Sequence, residues 1–534
     1  MRRWDLELKD KISGLAKGSA RGALILFIGR VLSDLVAAIG SILVARFLGS
    51  INYGVVGVVM VPVSIMTLFG DWGIRPAMIR FLARYRSRGR DREARGILFT
   101  GLLAKFLIGL LLSLIAILSA PFLATRVFNR SDLTPLIKIV SFTLVLNSLL
   151  TASQASFIGF ERMEFYSLTM FLRSSMKTLL SPFLVLLGYG ALGALLGQTL
   201  SLLLTSVAAL LMLYFSLWRP FRGDGVSLNF LRNLRTMLSY GYPLFISTLL
   251  AGALAQIYNF LMALHCSESM IGNYLAASNF SVLITFLTMP ISTVLFPAFS
   301  QLDQEREGET LRIVFQNSVK YTALVTLPVI AALVVLSQPL IHILFGRGYE
   351  SAPLFLMLYA LSYVFLGLGS LSITNLLNGQ GRTRATMALN MASLSVGLPL
   401  SLYLIPRFQI IGLLITMITA NIPPLVVGAW WVRRDFGFTV DLNSSLRICA
   451  ATLASAVLVY FFLPRLGEGD VITFLLGGLL LLLLYVLLIV LTRAVGRNDI
   501  ASLREILTEL GPFSYLFNLI LSLAEKLLAI IPGE

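Results

Sequence analysis

An all-α membrane protein of about fourteen crossings is what this 534-residue chain predicts, on three observations. Hydrophobic residues make up 57% of it, charged residues only 13%, and the mean hydropathy is +0.87; a soluble domain carries roughly 25% charged residues. Apolar runs of about 20 residues or more, enough to cross the hydrocarbon core, recur from one end to the other. The basic residues, which give a net charge of +16, gather in the short polar connections between those runs, where they set topology.

Taken in order, residues 1–20 are polar and basic (Arg2, Arg3, Lys9, Lys11, Lys17) and read as a cytoplasmic segment. Spans follow at 21–47, 54–79, 96–123, 134–159, 164–187 and 190–217, which make an N-lobe over 21–217. The stretch WRPFRGDGVSLNFLRNLR supplies a cytoplasmic linker, 218–235. Spans at 236–263, 270–300, 313–337, 352–377, 385–405 and 409–432 make a C-lobe over 236–433. Two more, 446–464 and 471–492, occupy the segment 434–493, and the last carries no charge. Residues 494–534 break at Gly511-Pro512 and are amphipathic, as expected of an interfacial helix. The basic start has an apolar run too long for a signal-peptide core and no clear A-x-A site, so it reads as an uncleaved first helix.

An even number of crossings puts both termini on one side. With the N-terminus inside, 31 of the 42 Lys and Arg residues fall on the cytoplasmic side, six on the outer side and five within spans. The arginine block from Arg75 to Arg95 dominates that asymmetry, and both ends are expected in the cytoplasm of a multi-pass cell-membrane protein. The same placement excludes nucleic-acid binding, despite a pI near 10.0. Cys266 and Cys449 fall on opposite faces in this topology, so no disulfide is expected. His265 and His342 have no ligand cluster beside them, and neither a metal nor a cofactor is expected. No G-x-x-x-x-G-K-[ST] sequence is present, so the chain does not hydrolyse ATP through that motif.

An internal repeat divides the chain. Asn52-Tyr53 and Pro76-Ala77 recur 221 positions on as Asn273-Tyr274 and Pro297-Ala298. The surroundings of Gly159 recur at Gly379, an offset of 220, and those of Gly193 at Gly412, an offset of 219. Six helices per repeat is an even number, so the two lobes are parallel repeats with a cavity expected between them. The last two helices are an addition.

At these landmarks the chain resembles the polysaccharide (O-antigen type) flippases of the multidrug/oligosaccharidyl-lipid/polysaccharide exporter (MOP) superfamily. The stretches that carry the likeness are ARFLGSINYGVVG and FGDWGIRPAMIRFLARY in the first repeat. In the second they are IGNYLAASNF, LFPAFSQL, QPLIHILFGRGYESAPLFLMLYA, LLNGQGRTRATM and IPRFQIIGLL, and the ordered set runs from about residue 15 to 495. The resemblance implies a MATE-like fold. It also implies a non-enzymatic flippase that moves a polyprenyl-(di)phosphate-linked oligosaccharide from the cytoplasmic to the outer leaflet by alternating access. Its partners would be that substrate, membrane lipids and polysaccharide-assembly proteins.

Charges inside the spans supply the candidate site. An ionisable group near the bilayer centre costs about 2.5–3.5 kcal/mol on insertion scales, so it faces protein or a watery cavity. Arg30 and Asp34 are four apart on one helical face, as are Arg173 and Lys177. Arg30, Lys105, Arg173 and Lys177 are expected to bind an anionic headgroup, arginine being suited to bidentate phosphate contacts. Asp34 and Asp71 are the candidates for ion coupling. Lys138 lies near a helix end, where it can snorkel. Two other functions fit less well. A cation-coupled multidrug exporter would want acidic groups in its cavity, and a polyprenyl-dependent glycosyltransferase would want catalytic acids and long outer loops. A non-transporting scaffold of envelope assembly is a further alternative.

Overall fold

Among the described residues of this computed structural model, eleven helical stretches are long and apolar enough to cross a membrane. Three of them, Ile25–Leu68, Met163–Trp218 and Thr383–Phe436, have 44, 56 and 54 residues. At 1.5 Å per residue the shortest would run about 66 Å, roughly twice the hydrocarbon thickness. Each is interrupted by a non-helical residue: Gly49 (φ 71°), Gly188 (φ 92°) and Gln409 (φ 53°). Counted as two crossings each, they bring the total to fourteen.

The structure describes residues 2–218, 229–465, 469–496, 499–501, 504, 521–522 and 525–526, with the side chains of 2–24, 442 and 443 excepted. Most of the linker expected at 218–235 and of the interfacial helix expected in 494–534 lies outside the described residues. Among the described residues every regular element is helical. The first helices are α1 (Arg2–Leu68), α2 (Ile74–Ser87), α3 (Asp91–Phe122), α4 (Leu133–Gly159), α5 (Met163–Leu184), α6 (Gly190–Leu213) and α7 (Phe230–His265). There follow α8 (Glu268–Ser278), α9 (Ser281–Gln301), α10 (Gly308–Val335), α11 (Ser337–Leu344), α12 (Ala352–Leu361) and α13 (Leu371–Gly379). The last are α14 (Thr383–Ala420), α15 (Ile422–Phe436), α16 (Leu442–Phe462) and α17 (Asp470–Leu491).

Two compact units result, Met1–Leu275 and Ala276–Glu534. The first holds α1 to α7 and most of α8; its core joins α2, α3, α4 and α6 through residues such as Met78, Leu82, Ile97, Phe157 and Leu202. The second packs Phe299, Phe315, Leu377 and Val432 in the corresponding way. The repeat is visible in the backbone of each unit. Gly159 packs on Leu82 and the carbonyl of Ile79, and Gly379 on Phe299 and the carbonyl of Phe296. Glu161 and Gly381 both have positive φ. Gly190 (φ 54°, ψ −136°) and Gln409 (φ 53°, ψ −128°) turn the chain alike.

The second span departs from the expected 54–79. It is helical to Leu68, opens through residues 69–73 and restarts as α2 at Ile74. The sequence there is Gly70-Asp71-Trp72-Gly73, in which Trp72 (φ 50°) and Gly73 (φ 73°) adopt left-handed backbone. Gly73 does so freely because it has no Cβ. The Asp71 carboxylate accepts the Arg75 N–H at 3.2 Å, so the residue terminates one helix and supports the start of the next.

Candidate substrate-binding site

Small residues set the register of α1 against α5. A Cβ added at Gly29 would lie 2.5 Å from Ser167 Cβ, and one at Gly40 would overlap Thr178. The Ser167 hydroxyl donates to Ile25 O at 3.1 Å and the Thr178 hydroxyl to Val36 O at 2.8 Å, both across a separation of 142 residues. The helices therefore run parallel, and the contacts of Gly29 with Ser167 and of Gly40 with Thr178 put Arg30 level with Leu168 and Asp34 level with Leu172, beside Arg173. Lys177 lies roughly 14 Å further along than Arg30 at 1.5 Å per residue.

Helical phase then decides direction. Arg30 follows the contact residue Gly29 by one position, whereas Lys177 precedes the contact residue Thr178 by one. Steps of about 100° in opposite senses on two facing parallel helices turn both to the same side. Asp34 and Arg173, each four residues away on its own helix, lie on those same stripes. Four charges thus share one face of the α1–α5 pair, three cationic and one anionic.

Their partners are partial. Arg30 Nε meets Asp34 Oδ2 at 3.2 Å, and the two side chains are 48% and 41% exposed. Arg173 Nη1 donates to Asn147 Oδ1 at 3.5 Å, a long contact. Lys177 lines a cavity of about 340 Å³ that also takes in Ser41, Tyr53, Ser64, Gln198 and Asn259. Ser41 and Tyr53 share a hydrogen bond of 3.0 Å, and the Ser64 hydroxyl donates to Gln256 Oε1 at 2.7 Å. The cavity is therefore mixed, apolar along Val44, Val56, Met60 and Val61 and polar at its hydroxyls and amides, with Lys177 as the charged residue of its lining. Sequence reasoning missed Asn147, Gln198 and Asn259; the available signal was an amide side chain inside an apolar run.

Lys105 and Asp71 form a separate pair. The Lys105 side chain is 4% exposed, its Nζ 3.0 Å from Asp71 Oδ1 and 2.7 Å from the carbonyl oxygen of Gly70. A carbonyl freed by a helix break needs a partner where water is scarce, and Lys105 provides it. The structure thus pairs Arg30 with Asp34 on α1, turns Arg173 and Lys177 of α5 to the same side, and keeps Lys105 and Asp71 at the break of the second span.

Comparison with known proteins places the fold. Residues 19–303, just over half of the chain, match the family model described as polysaccharide biosynthesis protein, and residues 243–403 match the MatE family model. A membrane protein of Methanocaldococcus jannaschii, MJ1068, itself uncharacterized, is 22% identical over 412 residues, 75% of this chain and 81% of that one. The fold is similar to that of the lipid II flippase MurJ in an inward closed conformation. The TM-score is 0.71 at 16% identity, covering 87% of this chain and 98% of that one. It is also similar to an inward-facing multidrug resistance MATE family transporter of the MOP superfamily. There the TM-score is 0.61 at 17% identity, covering 76% and 94%. The chain belongs to the polysaccharide biosynthesis protein family.

Proposed function

We propose that this transporter flips a polyprenyl-(di)phosphate-linked oligosaccharide from the cytoplasmic to the outer leaflet of the cell membrane by alternating access. The observation that carries the reading is the common face of Arg30, Arg173 and Lys177 on α1 and α5, with Lys177 at a cavity lined by hydroxyl and amide groups among apolar side chains. Cations turned to one face within a membrane protein suit a phosphate or diphosphate. The adjoining hydroxyl and amide groups of Tyr53, Gln198 and Asn259 suit an uncharged sugar. Asp34 holds Arg30 in place while the site is empty. The arginines of α2 and the turn to α3 anchor the cytoplasmic side, which puts both termini there.

A flipping assay with purified protein in proteoliposomes tests this. Lipid-linked oligosaccharide loaded in one leaflet should appear in the other only when the protein is present. Equal flipping of lipid without the phosphate-linked headgroup would reject the assignment of the cationic face. Export of organic cations instead of the lipid-linked sugar would move the protein to the multidrug branch of the superfamily.

A further inference from the structure

The segment from Ser50 to Phe81, which runs through the second span and into α2, is gripped at both ends by backbone-to-backbone contacts. At its start, a Cβ on Gly54 would overlap the carbonyl of Glu268, and one on Gly272 would overlap the carbonyl of Ser50. Ser50 Oγ and Ser269 Oγ are 3.4 Å apart. Arg130, at the tip between α3 and α4, fixes this end: its Nε lies 3.0 Å from Glu268 Oε1 and its Nη2 donates to Cys266 O at 3.0 Å.

At the far end the contact is of another kind. Gly73 and Gly241 face each other so closely that a Cβ on either would overlap the other's carbonyl. Trp72 stacks on Phe245 with ring centroids 5.4 Å apart and planes 4° from parallel. The Arg80 guanidinium lies 4.2 Å from the centroid of the Tyr240 ring. Gly73 reaches Gly241 only because the helix has opened at 69–73, and the opening is held by Lys105 on Gly70 O and Asp71.

The cavity beside Lys177 lies between the two contacts, lined by Val56, Met60 and Ser64 on the gripped segment and by Asn259 and Met262 on α7. From Gly54 to Leu68 the helix rises roughly 21 Å at 1.5 Å per residue, and the open residues 69–73 carry the segment on to the far contact. We infer that these two contacts are the two gates of the cavity, one ionic at α8 and one aromatic at α7, and that Lys105 is the positioning residue of the aromatic gate. Opening one gives access to the cavity from one face of the membrane; opening both would make a leak. Lys105 acts through the backbone it holds and does not touch the headgroup.

The inference rests on the proposed transporter reading, but its test can be read without the sugar. In the full chain with Cys266→Ser and Cys449→Ser, the pair Ser50→Cys and Ser269→Cys should form a disulfide. The pair Trp72→Cys and Phe245→Cys should be joined by a short methanethiosulfonate cross-linker. With either gate locked, a further Gln198→Cys should react with a membrane-impermeant maleimide only from the face of the unlocked gate. Lys105→Met should raise labelling of position 198 from the aromatic-gate face several-fold, with Ser50–Ser269 disulfide formation unchanged. Failure of the Ser50–Ser269 disulfide, equal labelling from both faces of a locked protein, or no change in Lys105→Met would overturn the inference. One-sided labelling of the locked variants, with wild-type protein that moves no lipid-linked oligosaccharide, would keep the gates and reject the substrate reading.

Discussion

At the offsets of the sequence landmarks, each charge inside the first repeat falls opposite a small or neutral residue of the second. Arg30 and Asp34 correspond to Ala251 and Ala255, Asp71 to Ser292, Lys105 to Val325, and Arg173 and Lys177 to Ser393 and Gly397. The backbone landmarks do not differ in this way: Gly159 and Gly379 pack on matching helices, and Gly190 and Gln409 share one turn geometry. The six-helix repeat can therefore be built without those charges, since the second copy builds it from neutral residues. Charges that the repeat does not need, and that cost energy in a membrane, point to ligand chemistry for Arg30, Arg173 and Lys177, whereas Lys105 and Asp71 hold a backbone break that only the first repeat has. The break in the second span follows the same division. Its counterpart α9 runs unbroken from Ser281 to Gln301 through Ser292, and no lysine stands at 325.

The sharpest way to break this comparison is to make the first repeat resemble the second. Arg173→Ser with Lys177→Gly carries the second repeat's residues into the first, and Gly at position 177 also weakens the helix. The cleaner variant is therefore Arg173→Ala with Lys177→Ala. Loss of two charge-assisted contacts should reduce flipping on the order of 100-fold or more, measured in proteoliposomes at matched protein content. Ser393→Ala in the second repeat should flip at the wild-type rate. Comparable losses in both would show that the charges support the fold.

Next in size is the Lys105 pair. Lys105→Met leaves Asp71 and the Gly70 carbonyl without their partner. The expected cost is about 2–3 kcal/mol, below the 3–5 kcal/mol of a fully buried pair because Asp71 is 39% exposed. Thermal unfolding in detergent would register it, and adding Asp71→Asn should recover part of the loss. Val325→Ala, at the corresponding place, should change stability without any dependence on Asp71→Asn.

The packing half of the comparison makes the opposite demand, that the repeats respond alike. A Cβ at Gly159 would lie 2.7 Å from Leu82 Cβ, and one at Gly379 would lie 2.8 Å from Phe299 Cβ. Gly159→Ala and Gly379→Ala should each destabilise by roughly 1–3 kcal/mol through overpacking, with similar shifts in melting temperature. A large shift in one and none in the other would mean that the repeats have diverged in their cores.

The crossings, the repeat and the charged pairs were legible because each depends on local pattern: hydropathy over about 20 residues, a fixed offset, and a spacing of four on a helix. The face shared by Arg30 and Arg173 was not legible. It depends on Gly29 and Gly40 meeting Ser167 and Thr178, a contact between residues far apart in sequence. The break at 69–73 was also hidden. Apolar residues flank Gly70-Asp71-Trp72-Gly73 on both sides, so a hydropathy average carries the span to residue 79. Lys105 read as a headgroup ligand for a related reason. A lysine inside an apolar run signals an unusual partner, but only the fold identifies that partner as Asp71 and a freed carbonyl.

The smallest expected effect concerns Asp34, the one anion among three cations. Its contact with Arg30 runs through a single nitrogen at 3.2 Å, and both groups are more than a third exposed. An exposed pair at this spacing is worth about 0.3–0.5 kcal/mol, so Asp34→Asn should leave thermal stability within that range of wild type. The shared face would rise from a net charge of +2 to +3, and Arg30 would lose the partner it must leave to reach a phosphate. Tighter headgroup binding is expected, with flipping unchanged or slower because release from the more cationic face is harder. If Asp34 instead carries a coupled ion, the same substitution should abolish the response of flipping to an imposed proton or sodium gradient, whatever it does to affinity. Measuring headgroup affinity and gradient dependence on one preparation of Asp34→Asn separates the two roles. Tighter binding with the gradient response intact makes Asp34 a counter-ion for Arg30; loss of the response makes it a coupling site that the second repeat, with Ala255 at that place, does not have.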